Sequence, residues 1–141
     1  MKHILLLVAL SIHLTILACD CDQPTPSVKS KLNNSKAVFT GTIISSKKSN
    51  FKDTLTGKSY NEFFISVHTT IKGDSTKKEM VVLTEESDCG IFLKIGEPYL
   101  IYAFETSQKG PLFIVQCHAN CPPLSSEMAK KDLEEIKRLK K

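Results

Sequence analysis

Cysteine is the residue type through which this 141-residue chain offers the most chemistry. There are five cysteines, and two of them stand one residue apart in Cys19-Asp20-Cys21. A disulfide between neighbours this close would strain the bridge geometry, so each of the two should pair with a distant cysteine. The possible distant partners are the remaining cysteines, Cys89, Cys117 and Cys121. Two such bridges would pin the N-terminal segment to the rest of the fold.

The first eighteen residues have the pattern of a secretory signal peptide. Lys2 gives a basic start, residues 4–17 form an apolar run broken by three polar side chains, and the small residue Ala18 precedes Cys19. The run is too short to span a membrane comfortably. We therefore expect a signal peptide over residues 1–18 and one secreted domain over residues 19–141, in an oxidising compartment where disulfides form.

Residues 16–19 also suit a second kind of processing. A small residue directly before a cysteine at the end of an apolar run is typical of bacterial lipoproteins, in which that cysteine carries lipid on its sulfur. Leu17 is bulky for such a signal, so the match is partial. On this alternative the protein is anchored at the cell envelope, and contact with a membrane is expected only in this case.

Cleavage before Cys19 would create a free α-amine with chemistry of its own. The pKa of an α-amine is about 7.7–8.0, so its neutral form is accessible at physiological pH. The neutral nitrogen and the carbonyl oxygen of the same residue can chelate one metal ion in a five-membered ring. A catalytic zinc keeps one coordination position open for water, and a rigid N-terminus could occupy that position.

Short strands are the elements that must hold this segment. Apolar, β-branched or alternating runs predict five of them, over residues 37–46, 63–71, 80–84, 98–104 and 112–117. Gly41 is expected to mark a bulge or a close backbone approach in the first strand. Residues 47–59 are polar and predict a loop or a long hairpin tip, and residues 19–34 are expected to be extended because Pro24 and Pro26 oppose a helix.

The C-terminal residues have a different period. Residues 124–126 supply a helix N-cap, and the apolar positions after it recur at helical spacing, at Ala129, Leu133, Ile136 and Leu139. Five strands and one terminal helix in a chain of this length predict a mainly β fold, a small five-stranded Greek-key barrel with a C-terminal α-helix.

Several motifs occur in the order found in one family of secreted proteins. The start Cys19-Asp20-Cys21-Asp22-Gln23-Pro24-Thr25-Pro26 resembles a C-x-C-x-x-P-x-P opening. Glu86-Ser87-Asp88-Cys89-Gly90 resembles an E-S-x-C-G loop, and Tyr99-Leu100-Ile101 resembles a Y-L-I strand. The strand that ends in Cys117 and the helix start at Leu124-Ser125 complete the series. From Cys19 to about Ile136, the chain resembles the N-terminal, netrin-like module of the tissue inhibitors of metalloproteinases.

The resemblance implies a fold, a set of bridges and a mechanism. It implies an OB-like barrel with a disulfide-stapled N-terminal segment, and the bridges Cys19–Cys89 and Cys21–Cys117. It implies that the first cysteine chelates the zinc of a target metalloendopeptidase and that the next side chain enters the pocket beside this zinc. The residues of the implied contact ridge are Cys19, Asp20, Cys21, Asp22, Ser87 and Asp88.

This sequence departs from the family at three places. Asp20 stands where the family usually has Thr or Ser, and a carboxylate is costly to bury in an apolar pocket. No cysteine stands near Asn34, where a third bridge begins in the family, and Cys121 remains an unassigned thiol. Two functions therefore remain: a secreted metalloproteinase inhibitor, or a non-inhibitory netrin-like binding or scaffold module, either without a lipid or lipidated at Cys19.

Other functional classes are not favoured. The net charge of +4 has no accompanying basic-aromatic stripe, so we expect no nucleic-acid partner. No nucleophile-base or paired-carboxylate motif stands out, so we do not expect an enzyme. The spacing of Cys117, His118 and Cys121 is not a standard zinc pattern, and we expect no cofactor beyond the zinc that a target protease supplies. The expected protein is a monomer.

Overall fold

Five strands close into a barrel in a computed structural model that describes residues 25–52, 57–86, 91–105, 110–114 and 120–141. The strands are β1 (Ala37–Lys52), β2 (Ser59–Lys72), β3 (Glu79–Glu85), β4 (Pro98–Glu105) and β5 (Leu112–Phe113). Their order around the barrel is β1-β2-β3-β5-β4. Only the β3–β5 pair is parallel among these neighbours. The predicted mainly β fold, with five strands closed into a barrel and a C-terminal helix, is therefore confirmed. The predicted disulfide-stapled N-terminal segment lies outside the described residues.

The first strand is longer than the sequence predicts. It runs through 16 residues because it pairs with β2 as far as Lys52, whereas its pairing with β4 ends at the Thr42–Pro98 pair. Of the two alternatives predicted for residues 47–59, a loop is wrong for residues 47–52, whereas a long hairpin agrees with the pairing of β1 and β2 as far as the Lys52–Ser59 pair. Residues 47–52 are mostly exposed, so they lack the apolar alternation by which a half-buried strand is recognised.

Gly41 lies where β1 and β2 come closest. A Cβ atom there would stand 2.6 Å from both Ile65 Cγ2 and the carbonyl oxygen of Ser66, and the strand register shifts between Thr40 and Gly41. The expectation of a bulge and a close approach is confirmed. Glycine is required here for space.

The fifth strand is shorter than predicted. Leu112 and Phe113 pair with β3 and β4, and Ile114 then leaves the strand. Its amide still donates to the carbonyl oxygen of Leu83 at 2.9 Å. The predicted strand over residues 112–117 is therefore wrong at Ile114, and the rest of its range, residues 115–117, lies outside the described residues.

The apolar residues form two clusters, one inside the barrel and one between the barrel and the helices. The inner cluster includes Phe39, Ile43, Ile65, Val82 and Ile101, all almost fully buried. The outer cluster joins Val28, Val38, Leu100, Tyr102, Ala129 and Ile136. Residues of β1 and β4 alternate between the two clusters, as a strand with two buried faces requires.

A short helix precedes the barrel, and the sequence did not predict it. Helix α1 (Val28–Asn34) begins at the N-cap Ser27, whose hydroxyl accepts a hydrogen bond from the amide of Ser30 at 3.2 Å. The expectation of an extended chain over residues 19–34 is therefore wrong for residues 28–34. Pro26 lies before the N-cap, where it does not interrupt the helical hydrogen bonds.

The C-terminal helix is confirmed. Helix α2 (Glu127–Leu139) begins at the N-cap Ser126, whose hydroxyl accepts from the amide of Ala129 at 3.2 Å and donates to the carbonyl oxygen of Pro123 at 2.7 Å. Ala129 and Ile136 face the outer cluster. The helix is therefore held to the barrel by the apolar stripe that the sequence shows.

Candidate functional site

The residues of the predicted contact ridge lie outside the described residues. They are Cys19, Asp20, Cys21, Asp22, Ser87 and Asp88, and the predicted bridge partners Cys89 and Cys117 lie outside as well. The structure therefore bears on this site through the residues that flank it. These are the chain after residue 24, the chain on either side of residues 87–90, and the chain on either side of residues 115–119.

The chain that follows the N-terminal segment is anchored by a buried ion pair. Residues 25–27 are exposed, and α1 then places Lys31, which is 3% exposed, against the carboxylate of Asp132 on α2. The Tyr102 hydroxyl of β4 donates to the same carboxylate oxygen at 2.9 Å. The ammonium group also lies 4.5 Å from the centre of the Tyr102 ring. One lysine thus ties α1 to both the barrel and the terminal helix.

Tyr102 is held in its neutral form by this arrangement. Burial raises the pKa of its hydroxyl far above the ordinary range, and the negative charge of Asp132 raises it further. The hydroxyl is therefore a permanent donor to the carboxylate. It has no role as a proton-transfer group at physiological pH.

Sequence reasoning missed this cluster, although a signal for it was present. Asp132 lies at helical spacing from Ala129 and Ile136, the buried positions of α2. Lys31 likewise lies three residues after the buried Val28. A charged residue among the buried apolar positions of a helix requires a buried partner of opposite charge. Because one helix carries such a lysine and the other such an aspartate, their two buried faces are expected to pack against each other.

A second lysine donates hydrogen bonds to the carbonyl groups at the C-terminal end of α1. Lys72, at the end of β2, donates to the carbonyl oxygens of Leu32 at 2.6 Å and Asn33 at 3.2 Å. Carbonyl groups in the last turn of a helix lack partners within the helix, so a cation there satisfies both hydrogen bonding and the helix dipole. Both the interior and the end of α1 are thereby fixed relative to the barrel.

The chain enters residues 87–90 from a fixed point beside the β1–β2 hairpin. The amide of Glu86 donates to the carbonyl oxygen of Ser59 at 2.8 Å, and its carboxylate lies 3.1 Å from the Lys48 ammonium group. Glu85 pairs in the same way with Lys58 at 2.8 Å. The hairpin therefore sets the position from which the predicted Ser87-Asp88 loop begins.

The residues that follow residues 87–90 lie in the core of the barrel. Ile91 and Leu93 are 5% and 7% exposed, and both belong to the inner cluster. Ile114, which precedes residues 115–119, and Cys121, which follows them, belong to the same cluster. The described residues that follow residues 87–90, and those on either side of residues 115–119, therefore belong to the same inner cluster.

Cys121 is a free, buried thiol in the described part of the chain. It is 1% exposed, and burial raises the pKa of the thiol well above its ordinary range. A thiol in such a site is a small apolar side chain, because the thiolate needed for nucleophilic attack or metal binding is disfavoured. Cys121 therefore stabilises the inner cluster and contributes no reactive group.

No metal centre is found within the described ranges. Among these residues, no group of three or more His, Cys, Asp or Glu side chains could hold an ion. His68 lies exposed on β2 and shares a hydrogen bond of 3.0 Å with the Thr42 hydroxyl.

The helices that the structure describes are all too short or too polar to cross a membrane.

No family model matches the chain, and no curated protein matches it.

Proposed function

We propose that the protein is a secreted inhibitor of a zinc metalloendopeptidase. Signal-peptide cleavage leaves Cys19 at the N-terminus, where its α-amine nitrogen and its carbonyl oxygen bind the catalytic zinc. One of the two atoms takes the coordination position that the enzyme needs for its attacking water, and the other adds a fifth ligand to the zinc. Asp20, Cys21, Asp22, Ser87 and Asp88 form the surrounding contact ridge.

The strand order of the barrel is the observation that carries this proposal. A closed five-stranded barrel with a C-terminal helix is the fold that the motif resemblance implies, and the strand order β1-β2-β3-β5-β4 does not follow from the motifs themselves. A fold alone does not define a function, so the proposal also rests on the C-x-C opening at the predicted cleavage site.

The state of Cys121 supports the same proposal. With Cys121 free, four cysteines remain, and they can form the two bridges Cys19–Cys89 and Cys21–Cys117. If Cys19 carried a lipid on its sulfur, only three would remain and one further thiol would be unpaired. The count of thiols therefore favours an unmodified Cys19, whose amine is available for the metal.

Asp20 determines which proteases should be tested. Its carboxylate would enter the pocket beside the zinc, and burial of an unpaired carboxylate in an apolar pocket costs several kcal/mol, on the order of the penalty for one buried ion. A target whose pocket is polar or carries a cation removes this penalty. The proposal therefore favours such an endopeptidase over enzymes with a purely apolar pocket.

The alternative is a netrin-like binding or scaffold module without inhibitory activity, either secreted or anchored through a lipid on Cys19. The lipoprotein-like residues 16–19 and the charge of Asp20 favour it. An acylated Cys19 amine cannot chelate zinc, so acylation found by an intact-mass measurement on the natural mature protein would exclude the inhibitor. An unmodified Cys19 would exclude only the lipid-anchored version of the alternative.

An inhibition panel tests the proposed function. The mature protein, with Cys19 as its first residue, is titrated against zinc endopeptidases whose pockets are apolar, polar or basic. Inhibition that is stoichiometric and strongest for the polar or basic pockets is the expected result. Absence of inhibition across the panel would refute the proposal.

A further inference from the structure

We propose that Phe92 and Ile95 form an apolar contact site for the same protease partner, next to the candidate ridge. This inference rests on the proposed function, because it assigns a second part of the same interface. The site lies on the segment between β3 and β4, and it involves described residues only.

The outward position of Phe92 is fixed by its neighbours. Phe92 is 81% exposed, whereas Ile91 and Leu93 on either side are buried in the inner cluster. In an extended chain, alternate side chains point to opposite sides, so two buried neighbours hold the aromatic ring out in solvent. Phe92 cannot be buried by a small movement of this segment without the exposure of two core residues.

Ile95 is presented by a rigid turn. The amide of Glu97 donates to the carbonyl oxygen of Lys94 at 3.2 Å, and Gly96 has a φ of +86°, as the third position of a type II turn requires. The turn is tied to β1, because the amide of Gly96 donates to the carbonyl oxygen of Ile43 at 2.8 Å. Ile95, at the second position of the turn, is 62% exposed.

The hydroxyl of Tyr99 holds the same turn in place through two hydrogen bonds. It accepts from the amide of Lys94 at 3.0 Å and donates to the carboxylate of Glu97 at 3.1 Å. The ring itself is buried in the inner cluster. A surface that is ordered before binding loses little conformational entropy on association, so two apolar side chains on this turn suit a binding site.

The size of the site indicates that it belongs to a larger interface. A stable interface buries about 800 Å² on each partner. One aromatic side chain provides about 150–250 Å², so Phe92 and Ile95 alone fall short of a homodimer interface. Phe92 follows Asp88 by four residues, a distance of at most about 14 Å along the chain. This short separation along the chain from Ser87 and Asp88, two residues of the proposed ridge, makes that ridge the surface that this site would extend.

The charges near the site argue against a lipid partner. Attraction to an anionic membrane requires cations that are free to meet the headgroups. Lys94, which stands between Phe92 and Ile95 in the chain, lies 3.5 Å from the Glu97 carboxylate. Apolar side chains with a rim of paired charges are instead typical of a protein–protein interface.

The test compares the double variant Phe92→Ser/Ile95→Ser with the wild-type protein in inhibition of the endopeptidase that the wild type inhibits best. Val81→Ser is the matched control, because Val81 is an exposed apolar residue on β3. We expect the double variant to raise the inhibition constant about 30-fold, as for an interface hot spot, and the control to leave it within about twofold. Because all three side chains are exposed, thermal unfolding should show that each variant is folded.

Three results would overturn the inference. If the wild type inhibits and the double variant inhibits equally well, the site does not contact the protease, and the proposed function stands. If the wild type inhibits no enzyme of the panel, both proposals fail together. If the substitutions instead abolish binding to anionic vesicles or a concentration-dependent dimer of the wild type, the partner is a membrane or a second copy.

Discussion

At the scale of single residues, the Lys31–Asp132 pair is the contact that fixes the N-terminal part of the chain. It is almost fully buried, and the Tyr102 hydroxyl binds the same carboxylate. Removal of one partner from a buried pair leaves an uncompensated charge, whereas replacement of both by apolar residues is often tolerated. The pair therefore defines where α1 lies, and α1 begins two residues after the Pro26 that ends the candidate segment.

Lys31→Met should lower the free energy of unfolding by about 3–5 kcal/mol, because Asp132 would remain buried without its cation. The double variant Lys31→Met/Asp132→Leu should lose less than this single variant. Lys29→Met, an exposed change on the same helix, is the control and should have an effect within about 0.5 kcal/mol. Urea unfolding measures all three. A Lys31→Met protein as stable as the control would show that the pair does not anchor α1.

At the scale of elements, the β1–β2 hairpin holds Glu86, the last described residue before the predicted Ser87-Asp88 loop. Beyond Thr42 it is no longer paired with β4, and charged and polar contacts hold its two strands together. Glu62 on β2 accepts a hydrogen bond from the Ser49 hydroxyl at 2.8 Å and pairs with Lys47 at 3.2 Å. The tip packs against the barrel through a cluster of edge-to-face rings, Phe51, Tyr60 and Phe113.

The carboxyl group of Glu62 should report the order of this hairpin. The hydrogen bond from Ser49, and then that from Lys47, lower its pKa below the ordinary value. Since the folded pKa lies below the unfolded one, this contact stabilises the fold at pH values above about 4.3 and is lost as the pH falls through the lowered folded pKa.

An NMR titration of Glu62 tests this account. The midpoint should lie below the ordinary glutamate value in the wild type and move up toward it in Ser49→Ala. Ser46→Ala, an exposed change on the same strand, should leave it unchanged. An ordinary midpoint in the wild type would mean that the hairpin is not held by this contact.

The elements that could be predicted from the sequence are those with apolar periodicity. The barrel strands and α2 bury an apolar face, and that face is visible as a period of two residues or of 3.6. Residues 47–52 could not be recognised as a strand because almost all of their side chains are exposed. Helix α1 is short and its buried positions include a lysine, so neither its length nor its polarity pointed to a helix.

The candidate site was predictable to a smaller extent. Motif order suggested the ridge residues, but no local pattern indicates that Phe92 points outward. That orientation depends on the burial of Ile91 and Leu93 in a core formed by distant strands. For Lys31 and Asp132 the spacing gives only a partial signal, and the fold is needed to show that these residues, 101 positions apart in the chain, are partners.

At the scale of the whole molecule, the pattern of disulfide bridges tests directly how the N-terminus is processed. The chain has five cysteines, and one of them, Cys121, is a buried free thiol. The proposal requires the bridges Cys19–Cys89 and Cys21–Cys117 in a chain that begins at Cys19. Cys121 then remains a thiol, protected by its position in the inner cluster.

A thiol count on the mature protein should give none in the folded state and one per chain after unfolding without reductant. Burial and the raised pKa of the thiol explain the lack of reaction in the folded state. The control is Cys121→Ser, which should give none in either state. A wild-type protein with no thiol after unfolding would show that Cys121 is paired and would favour the lipidated form.

The most direct test of the central claim is inhibition by a protein extended by one alanine before Cys19. The extension moves the α-amine away from the carbonyl oxygen of Cys19 and so removes the chelating pair, while the barrel and the bridges are unchanged. An unchanged thiol count and melting temperature would show that the extended protein is otherwise intact. The proposal predicts that the mature protein inhibits its target zinc endopeptidase and that the extended protein does not. Equal inhibition by the two proteins would contradict it.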